Sequence, residues 1–136
     1  MSMIEITPIG RIHSPLTELK GVPKQGDEGA PDALLVIESQ FADALTGLRP
    51  GQDILVLTWL DRADREVLQV YPRGDRSRGL QGVFNTRSPA RPNPIGLHRV
   101  RIGAIEGTRL RVNEMEAIDG TPILDVKPVI GAADDR

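Results

Sequence analysis

Hydrophobic residues recur along this chain mainly with a period of two, and this spacing constrains the fold more than any other feature. Residues 54–60 are almost continuously apolar and rich in β-forming residues, which is typical of a central strand. Several short strands separated by Gly and Pro predict an all-β fold, mainly an antiparallel sheet closed into a small barrel. The other β-type runs lie at residues 4–12, 34–37, 66–71, 82–84, 100–105, 110–112 and 123–126.

One segment has helical periodicity instead. Phe41, Leu45 and Leu48 fall on one face of a short helix over residues 41–48, which the following Pro50 and Gly51 would end. The absence of βαβ alternation disfavours a Rossmann-type enzyme. We expect a single barrel domain over residues 1–136 with one short helix, long loops and no additional C-terminal domain.

The charges are unevenly distributed along the sequence. With 17 Lys and Arg against 19 Asp and Glu, the net charge of −2 on its face disfavours a nucleic-acid partner. Residues 73–111, however, contain nine Arg and only two acidic residues, so this segment carries +7 and the remainder −9. We expect Arg73, Arg76, Arg78 and Arg91 to contact RNA. The alternative is an arginine cluster that is solvated or paired with the acidic remainder.

Several classes of site and location are disfavoured by composition. The chain has no Cys, and therefore no disulfide, no thiolate zinc site and no Cys nucleophile. Its two histidines, His13 and His98, leave little material for a metal site, and we expect no metal. No apolar run approaches the length of a membrane span, and the first ten residues lack signal-peptide features. We expect a cytoplasmic protein.

The strongest chemical signal lies in residues 82–97, GVFNTRSPARPNPIGL. Its three prolines fix φ at three points and favour extended geometry before each, so the loop loses little entropy when a ligand orders it. Arg87, Arg91 and Asn93 are then held in preset directions. Gly96 allows a positive φ or a close approach of the backbone to a ligand. The alternative is a proline-rich surface turn with solvated arginines.

This segment, followed by DGTPILDVKP at residues 119–128, resembles the signature of the TrmO/TsaA family, also called VirR-like. IGRIHSP at residues 9–15 and GVPKQ at residues 21–25 resemble that family's opening motifs. The resemblance implies a small β-barrel methyltransferase that uses S-adenosylmethionine (SAM) and forms a homodimer with the cofactor near the subunit interface. It also implies a tRNA substrate, methylated at N6 of the threonylcarbamoyl-adenosine next to the anticodon of threonine tRNA.

The resemblance further implies which residues bind the cofactor. Asp61 departs from the family pattern, which often has His there, and Asn113 replaces a common Gly. The implied cofactor-binding residues are Lys24, Gln25, Gly26, Leu60, Asp61, Arg87, Leu97, Glu114, Met115 and Glu116.

The chemistry of methyl transfer suggests roles for some of these residues. Transfer from a sulfonium is an in-line displacement, so positioning supplies most of the catalysis. Arg87 or a nest of backbone N–H groups would bind the SAM carboxylate, and Asp61 or Glu116 would suit its ammonium or ribose hydroxyls. The adenine N6 amine becomes more acidic as the bond forms, and the side-chain oxygen of Asn93 is our candidate acceptor for its proton. The alternative for Asn93 is a turn-forming residue before Pro94.

Two other functions stay open. One is a SAM-dependent methyltransferase with another RNA or a small molecule as acceptor. The other is a non-catalytic barrel that binds a nucleotide or RNA. For residues outside the proposed chemistry, we predict that His13 ends a strand, Asp119 belongs to a turn, Asp125 pairs with Lys127, and Trp59 lies in the core.

Overall fold

The described part of the chain is a closed antiparallel β-barrel with a long excursion between two of its strands. The computed structural model describes residues 2–16 and 31–131. Six strands form the barrel in the order β1-β2-β7-β6-β3-β8, and β4 pairs with β5 outside it. The predicted antiparallel barrel is therefore confirmed. The strands are β1 (Gly10–His13), β2 (Ala33–Ile37), β3 (Asp53–Trp59), β4 (Gln69–Val70), β5 (Gln81–Gly82), β6 (Ile95–Glu106), β7 (Arg109–Val112) and β8 (Pro122–Pro128).

Alternation along the strands separates the core from the outer surface. In β6, Gly96, His98, Val100 and Ile102 are buried, while the residues between them are exposed. The predicted central strand is β3, which lies between β6 and β8. The core cluster consists of Ile12, Ala33, Leu35, Ile37, Ile54, Val56, Val100, Ile102, Leu110, Val112, Met115, Ala117 and Ile123.

The predicted helix is present but differs in type and bounds. It is a 3₁₀ helix at Ser39–Leu45. Phe41, Leu45 and Leu48 pack against the core, as their spacing predicted. No helix in residues 2–16 and 31–131 is long and apolar enough to cross a membrane.

The first predicted strand is shorter than its apolar pattern indicated. β1 begins only at Gly10, and Ile4 is 84% exposed. Residues 2–9 have no strand assignment because the pairing with β2 starts at Gly10 and Ile37. At the predicted runs 66–71 and 82–84 the structure likewise has only short strands. These are β4, within the first run, and β5, which overlaps the second at Gly82, and they pair with each other instead of joining the barrel.

Residues 60–94, which we call the excursion, connect β3 to β6. Besides β4 and β5, they contain three short 3₁₀ helices at Pro72–Gly74, Arg76–Arg78 and Val83–Asn85. Trp59, the last residue of β3, directly precedes the excursion and is half-buried, with the Arg65 guanidinium 5.1 Å from its ring centroid. The prediction that Trp59 belongs to the core is therefore wrong, because its side chain faces the excursion's Arg65.

Three predicted structural roles are confirmed. His13 is the last residue of β1. Asp119 lies in a turn, where its Oδ1 accepts a hydrogen bond of 3.0 Å from the Ser14 N–H. Asp125 and Lys127 form an ion pair of 3.1 Å on β8.

Candidate functional site

A cleft of about 1470 Å³ lies between the excursion and one side of the barrel. Most of its lining comes from three parts of the chain: the excursion, residues 95–101 of β6, and residues 113–121, which connect β7 to β8. Asp53, the first residue of β3, also lines it. The proline-rich loop and the DGTP motif, which are separate in the sequence, therefore meet at one surface. We refer to this surface as the cleft.

Most of the residues that the sequence assigned to a site line the cleft. Arg76, Asn93 and Met115 are described residues that do not. Lys24, Gln25 and Gly26 lie outside the described residues. Those that line the cleft are Leu60, Asp61, Arg73, Arg78, Arg87, Arg91, Leu97, Glu114 and Glu116.

The structure corrects the prediction for Met115. Its side chain is fully buried in the barrel core, so it does not face a ligand in the cleft. Its neighbours differ, since Glu114 is exposed and Glu116 is partly buried, and both line the cleft. Only Glu114 and Glu116 of this stretch therefore present side chains to the cleft.

The structure also gives Arg91 a role other than RNA binding. Its guanidinium donates hydrogen bonds to three carbonyl oxygens of its own loop: Val83 at 2.9 Å, Ser88 at 3.0 Å and Thr86 at 3.1 Å. Donors used in this way are not directed at phosphates. Arg91 thus fixes the conformation of the loop that carries Arg87.

Arg87 has the opposite character. It is exposed and lines the cleft, and it takes part in no hydrogen bond or ion pair with the rest of the described chain. Its five N–H donors are therefore available to an anionic group, and a forked guanidinium matches a carboxylate or phosphate.

We expect Arg91→Met and Arg87→Met to differ in their effect on the free energy of unfolding. Arg91→Met should lower the free energy of unfolding by about 2 kcal/mol, because it leaves part-buried carbonyl oxygens without donors. Arg87→Met should change it by less than about 0.5 kcal/mol, as is usual for an exposed side chain without contacts. Urea denaturation of both variants measures the difference. Equal stabilities for the two variants would contradict the assigned role of Arg91.

Acidic neighbours neutralise part of the arginine-rich segment. Asp53 accepts a hydrogen bond of 2.9 Å from Arg101 and lies 3.6 Å from Arg99. The hydrogen bond from Arg101 and the charges of both arginines hold the pKa of Asp53 below its usual value, and the same bond raises the pKa of Arg101. The alternative interpretation, in which arginines of the segment pair with acidic residues, therefore holds for Arg99 and Arg101 on β6.

The arginines of the excursion have different partners. Arg78 lies 3.7 Å from Asp75, whose pKa is lowered mainly by hydrogen bonds from the Ser77 hydroxyl and N–H. Arg76 stacks over Tyr71, with its guanidinium 4.7 Å from the ring centroid. Tyr71 itself lines the cleft. A cation and an aromatic ring are thus placed together at the edge of the cleft.

Asn93 lies beside the cleft. It is exposed, and its Oδ1 accepts a hydrogen bond of 3.0 Å from Arg65. The next residue, Pro94, accepts a hydrogen bond of 2.8 Å from the N–H of Leu60, which lines the cleft. Arg91 and Ile95, each two residues from Asn93 in the sequence, line the cleft, so Asn93 lies next to it without lining it.

Sequence reasoning missed a polar network at the floor of the cleft, whose lining includes His98 and Glu116. Thr58 Oγ1 and His98 Nε2 are 2.8 Å apart, and His98 Nδ1 forms a short hydrogen bond with Glu116 Oε1. Thr58 is fully buried and His98 is 5% exposed. The sequence contained one indication of this network. Thr58 and His98 occupy positions of their strands that alternate towards the barrel interior, where an apolar residue is expected.

Gly96 makes room for this network. A Cβ at this position would lie 2.8 Å from His98 Nε2 and would collide with Thr58 Oγ1. Gly96 does not adopt a positive φ. It is therefore required for the close approach of two side chains.

Asn85 is a second residue that sequence reasoning missed. It is exposed and lines the cleft, and its Nδ2 donates a hydrogen bond of 3.0 Å to Gln81 Oε1.

Within residues 2–16 and 31–131, no group of three or more His, Asp or Glu side chains is placed to hold a metal ion.

The fold and the cleft define a class: a small antiparallel barrel with an arginine-rich cleft built on a proline-stiffened loop. Residues 11–135 match the family model for the tRNA-methyltransferase O N-terminal domain, and the chain belongs to this family. The resemblance found in the sequence motifs is thereby confirmed.

Curated relatives and solved structures agree with this assignment. A protein of Methanothermobacter thermautotrophicus named as a probable S-adenosyl-L-methionine-binding protein is 42% identical over 125 residues, or 92% of this chain and 89% of the relative. An S-adenosyl-L-methionine-binding protein of Archaeoglobus fulgidus is 40% identical over 122 residues, or 90% and 86%. The crystal structure of TrmO from Pseudomonas aeruginosa superposes with a TM-score of 0.78 at 32% identity, covering 99% of this chain. The chain spans 60% of the length of that TrmO chain.

Proposed function

We propose that this protein is a SAM-dependent tRNA methyltransferase whose acceptor is N6 of the threonylcarbamoyl-adenosine next to the anticodon of threonine tRNA. The observation that carries the proposal is the cleft. Leu60, Arg87, Leu97 and Glu116, which come from distant parts of the sequence, line one surface in a chain that belongs to the tRNA-methyltransferase O family.

The residues of the cleft fit the chemical groups of SAM. Ile95 and Leu97 are 43% and 45% exposed on the outer face of β6 and offer apolar surface for a flat adenine ring. Arg87 suits the carboxylate, and the carboxylates of Asp61 and Glu116 suit the ammonium and the ribose hydroxyls. SAM would supply an electrophilic methyl group when bound.

The contribution of the protein to the reaction is mainly one of position. Arg91 holds the loop of residues 83–88, and this fixes the position of the Arg87 backbone at the cleft. A preset first layer of contacts reduces the entropy lost when the two substrates are aligned for an in-line displacement. Asn93 would accept the hydrogen bond of the N6 proton as the nitrogen becomes more acidic.

Binding and product analysis test the proposal together. Calorimetric titration is expected to show SAM binding, and the purified protein should transfer a labelled methyl group to threonine tRNA that carries threonylcarbamoyl-adenosine. The same tRNA without the threonylcarbamoyl group is the control. Absence of binding at millimolar SAM would favour a non-catalytic barrel. Binding without transfer to this tRNA would favour another RNA or a small molecule as the acceptor.

We propose that Arg73, Arg76 and Arg78 contact tRNA phosphates from the edge of the excursion. Each phosphate contact releases counterions, so the affinity for tRNA should fall steeply as salt rises. A triple Arg→Gln variant at these positions should show a shallower salt dependence, with the slope of log affinity reduced by about one for each lost contact. Filter binding over a range of salt concentrations measures the slope. An unchanged slope would contradict the assignment.

We propose that the protein acts as a homodimer with the cleft near the interface. Leu68, Leu80 and Phe84 are exposed on the excursion, and Phe84 is 85% exposed. Burial of such side chains against a second copy would be favourable. Sedimentation equilibrium is expected to give twice the chain mass, and Phe84→Ser should shift the equilibrium towards the monomer. A wild-type protein that stays monomeric would overturn this proposal.

A further inference from the structure

The polar network of Thr58, His98 and Glu116 runs from the barrel interior to the cleft. Thr58 and His98 lie on the inner face of β3 and β6, where the other strand residues are apolar. Glu116 lies on the segment between β7 and β8, lines the cleft, and has a side chain that is 13% exposed. The network therefore connects a rigid core to a carboxylate at the surface of the cleft.

The hydrogen-bonding capacities of the three groups set the direction of the network. An ionised carboxylate only accepts, so the His98 Nδ1 must carry the proton that it shares with Glu116. In the neutral ring, Nε2 then accepts from the Thr58 hydroxyl. Thr58 thereby favours the tautomer that donates to Glu116, and the buried surroundings of the ring limit its rotation.

The network uses only one oxygen of the carboxylate. Glu116 Oε1 accepts from His98, and no other hydrogen bond or ion pair of this side chain occurs with the described residues. Thr58 and His98 occupy inward positions, and hydrogen bonds within the network satisfy their buried polar atoms. These bonds fix the orientation of Glu116 and leave its second oxygen for a ligand.

We propose that His98 and Thr58 are positioning residues that orient Glu116 in the cleft to accept a hydrogen bond from a cationic or hydroxyl group of the bound ligand. In SAM, these groups are the ammonium and the ribose hydroxyls. This inference rests on the proposed function, because it assigns a contact within the proposed cofactor site.

Two amide substitutions of His98 give a matched test. The amide nitrogen of Asn falls near the position of Nδ1 and keeps a donor towards Glu116, whereas that of Gln falls near Nε2 and reaches only towards Thr58. We expect the Kd for SAM to rise about tenfold more in His98→Gln than in His98→Asn, as for the loss of one hydrogen bond to a charged group. Calorimetric titration measures both constants.

A second pair separates positioning from folding. Thr58→Val removes the hydroxyl with almost no change of shape, and Thr58→Ser keeps it. We expect weaker SAM binding in Thr58→Val and recovery in Thr58→Ser, with KM for SAM raised and kcat largely unchanged, because the lost contact acts on the bound substrate and the transition state alike. The melting temperatures of all four variants are measured alongside. Variants that lose thermal stability but bind SAM as tightly as the wild type would overturn the proposal.

The choice of probe identifies the contacted group. S-adenosylhomocysteine carries the ammonium and the ribose, whereas methylthioadenosine carries only the ribose. A loss in His98→Gln with both probes indicates the hydroxyls, and a loss with S-adenosylhomocysteine alone indicates the ammonium. An equal affinity of wild type and His98→Gln for both would overturn the inference. A wild-type protein that binds neither these compounds nor SAM would instead refute the proposed function.

Discussion

Replacement of Gly96 by Ala is expected to lower the free energy of unfolding by about 3 kcal/mol. The new Cβ would lie 2.8 Å from His98 Nε2 and 3.3 Å from Leu60 Cδ2, and it would collide with Thr58 Oγ1. Overpacking a core costs about 1–3 kcal/mol, and separating Thr58 from His98 would leave buried polar atoms without partners at a similar cost. Both side chains are buried, so neither can move away into solvent.

Gly103 provides the control on the same strand. Gly103 is exposed, and the nearest atom to an added Cβ would be the Arg111 carbonyl oxygen at 3.7 Å, an ordinary contact. Gly103→Ala should therefore be neutral, or stabilising by up to about 1 kcal/mol through the unfolded state. Urea denaturation of the two variants compares them directly. If Gly96→Ala were as stable as Gly103→Ala, the close packing assigned to the network would be wrong.

The SAM affinity of Gly96→Ala adds a functional measurement to this comparison. Because the added methyl group displaces His98 from Thr58, it should also disturb the orientation of Glu116. Titration is performed below the melting temperature of the variant, so that only folded protein is compared. We expect weaker binding in Gly96→Ala and unchanged binding in Gly103→Ala.

The barrel was predictable because its signal is local. Alternation along β6 and β7, and the apolar run of β3, reflect which face of each strand meets the core, and this pattern is visible in the sequence. The failures occurred where local pattern and pairing disagree. Ile4 and Ile6 have strand spacing, but β2 pairs with the chain only from Gly10 onwards. β-propensity without a neighbouring strand does not produce a strand.

The site was only partly predictable because its contacts are long-range. Arg87, Leu97 and Glu116 were found through motifs, and all three line the cleft. The partners of His98 are 40 and 18 residues away in the sequence, so nothing local indicated that it joins Thr58 to Glu116.

The two arginines of the proline-rich loop show the same limitation. In the sequence, Arg87 and Arg91 are equivalent cations four residues apart. The backbone path determines that one donates to carbonyl oxygens of the loop and the other lies exposed in the cleft. Residue type therefore predicts what a side chain can bind, but the folded loop determines what it does bind.

Asn93→Ala is expected to reduce kcat by at least about 100-fold with SAM affinity intact. Our proposal has the Asn93 Oδ1 accept a hydrogen bond from the N6–H of the acceptor adenine, whose proton passes to water once the methyl group has moved from the sulfonium to N6. Loss of one such hydrogen-bond partner at the reacting centre costs about 10²–10³-fold in kcat. The Asn93 Oδ1 has two lone pairs, of which Arg65 uses one at 3.0 Å. The second lone pair is available to the N6–H of the adenine that receives the methyl group. Single-turnover methylation of tRNA and titration with SAM measure the two effects separately.

Asn85 and Arg65 supply the controls for this prediction. Asn85 lines the cleft in the same segment. If Asn93 accepts the hydrogen bond from N6–H, Asn85→Ala should retain the wild-type kcat. A large loss of kcat in Asn85→Ala with kcat retained in Asn93→Ala would assign this role to Asn85 instead. If Asn93 only anchors the excursion through Arg65, Asn93→Ala should lower the stability and leave kcat unchanged. Arg65→Met should then lower the stability by more, because it also removes the hydrogen bond to the Pro92 carbonyl oxygen and the contact with Trp59. That outcome would remove Asn93 from the chemistry, because a hydrogen bond within the loop would then account for all of its effect.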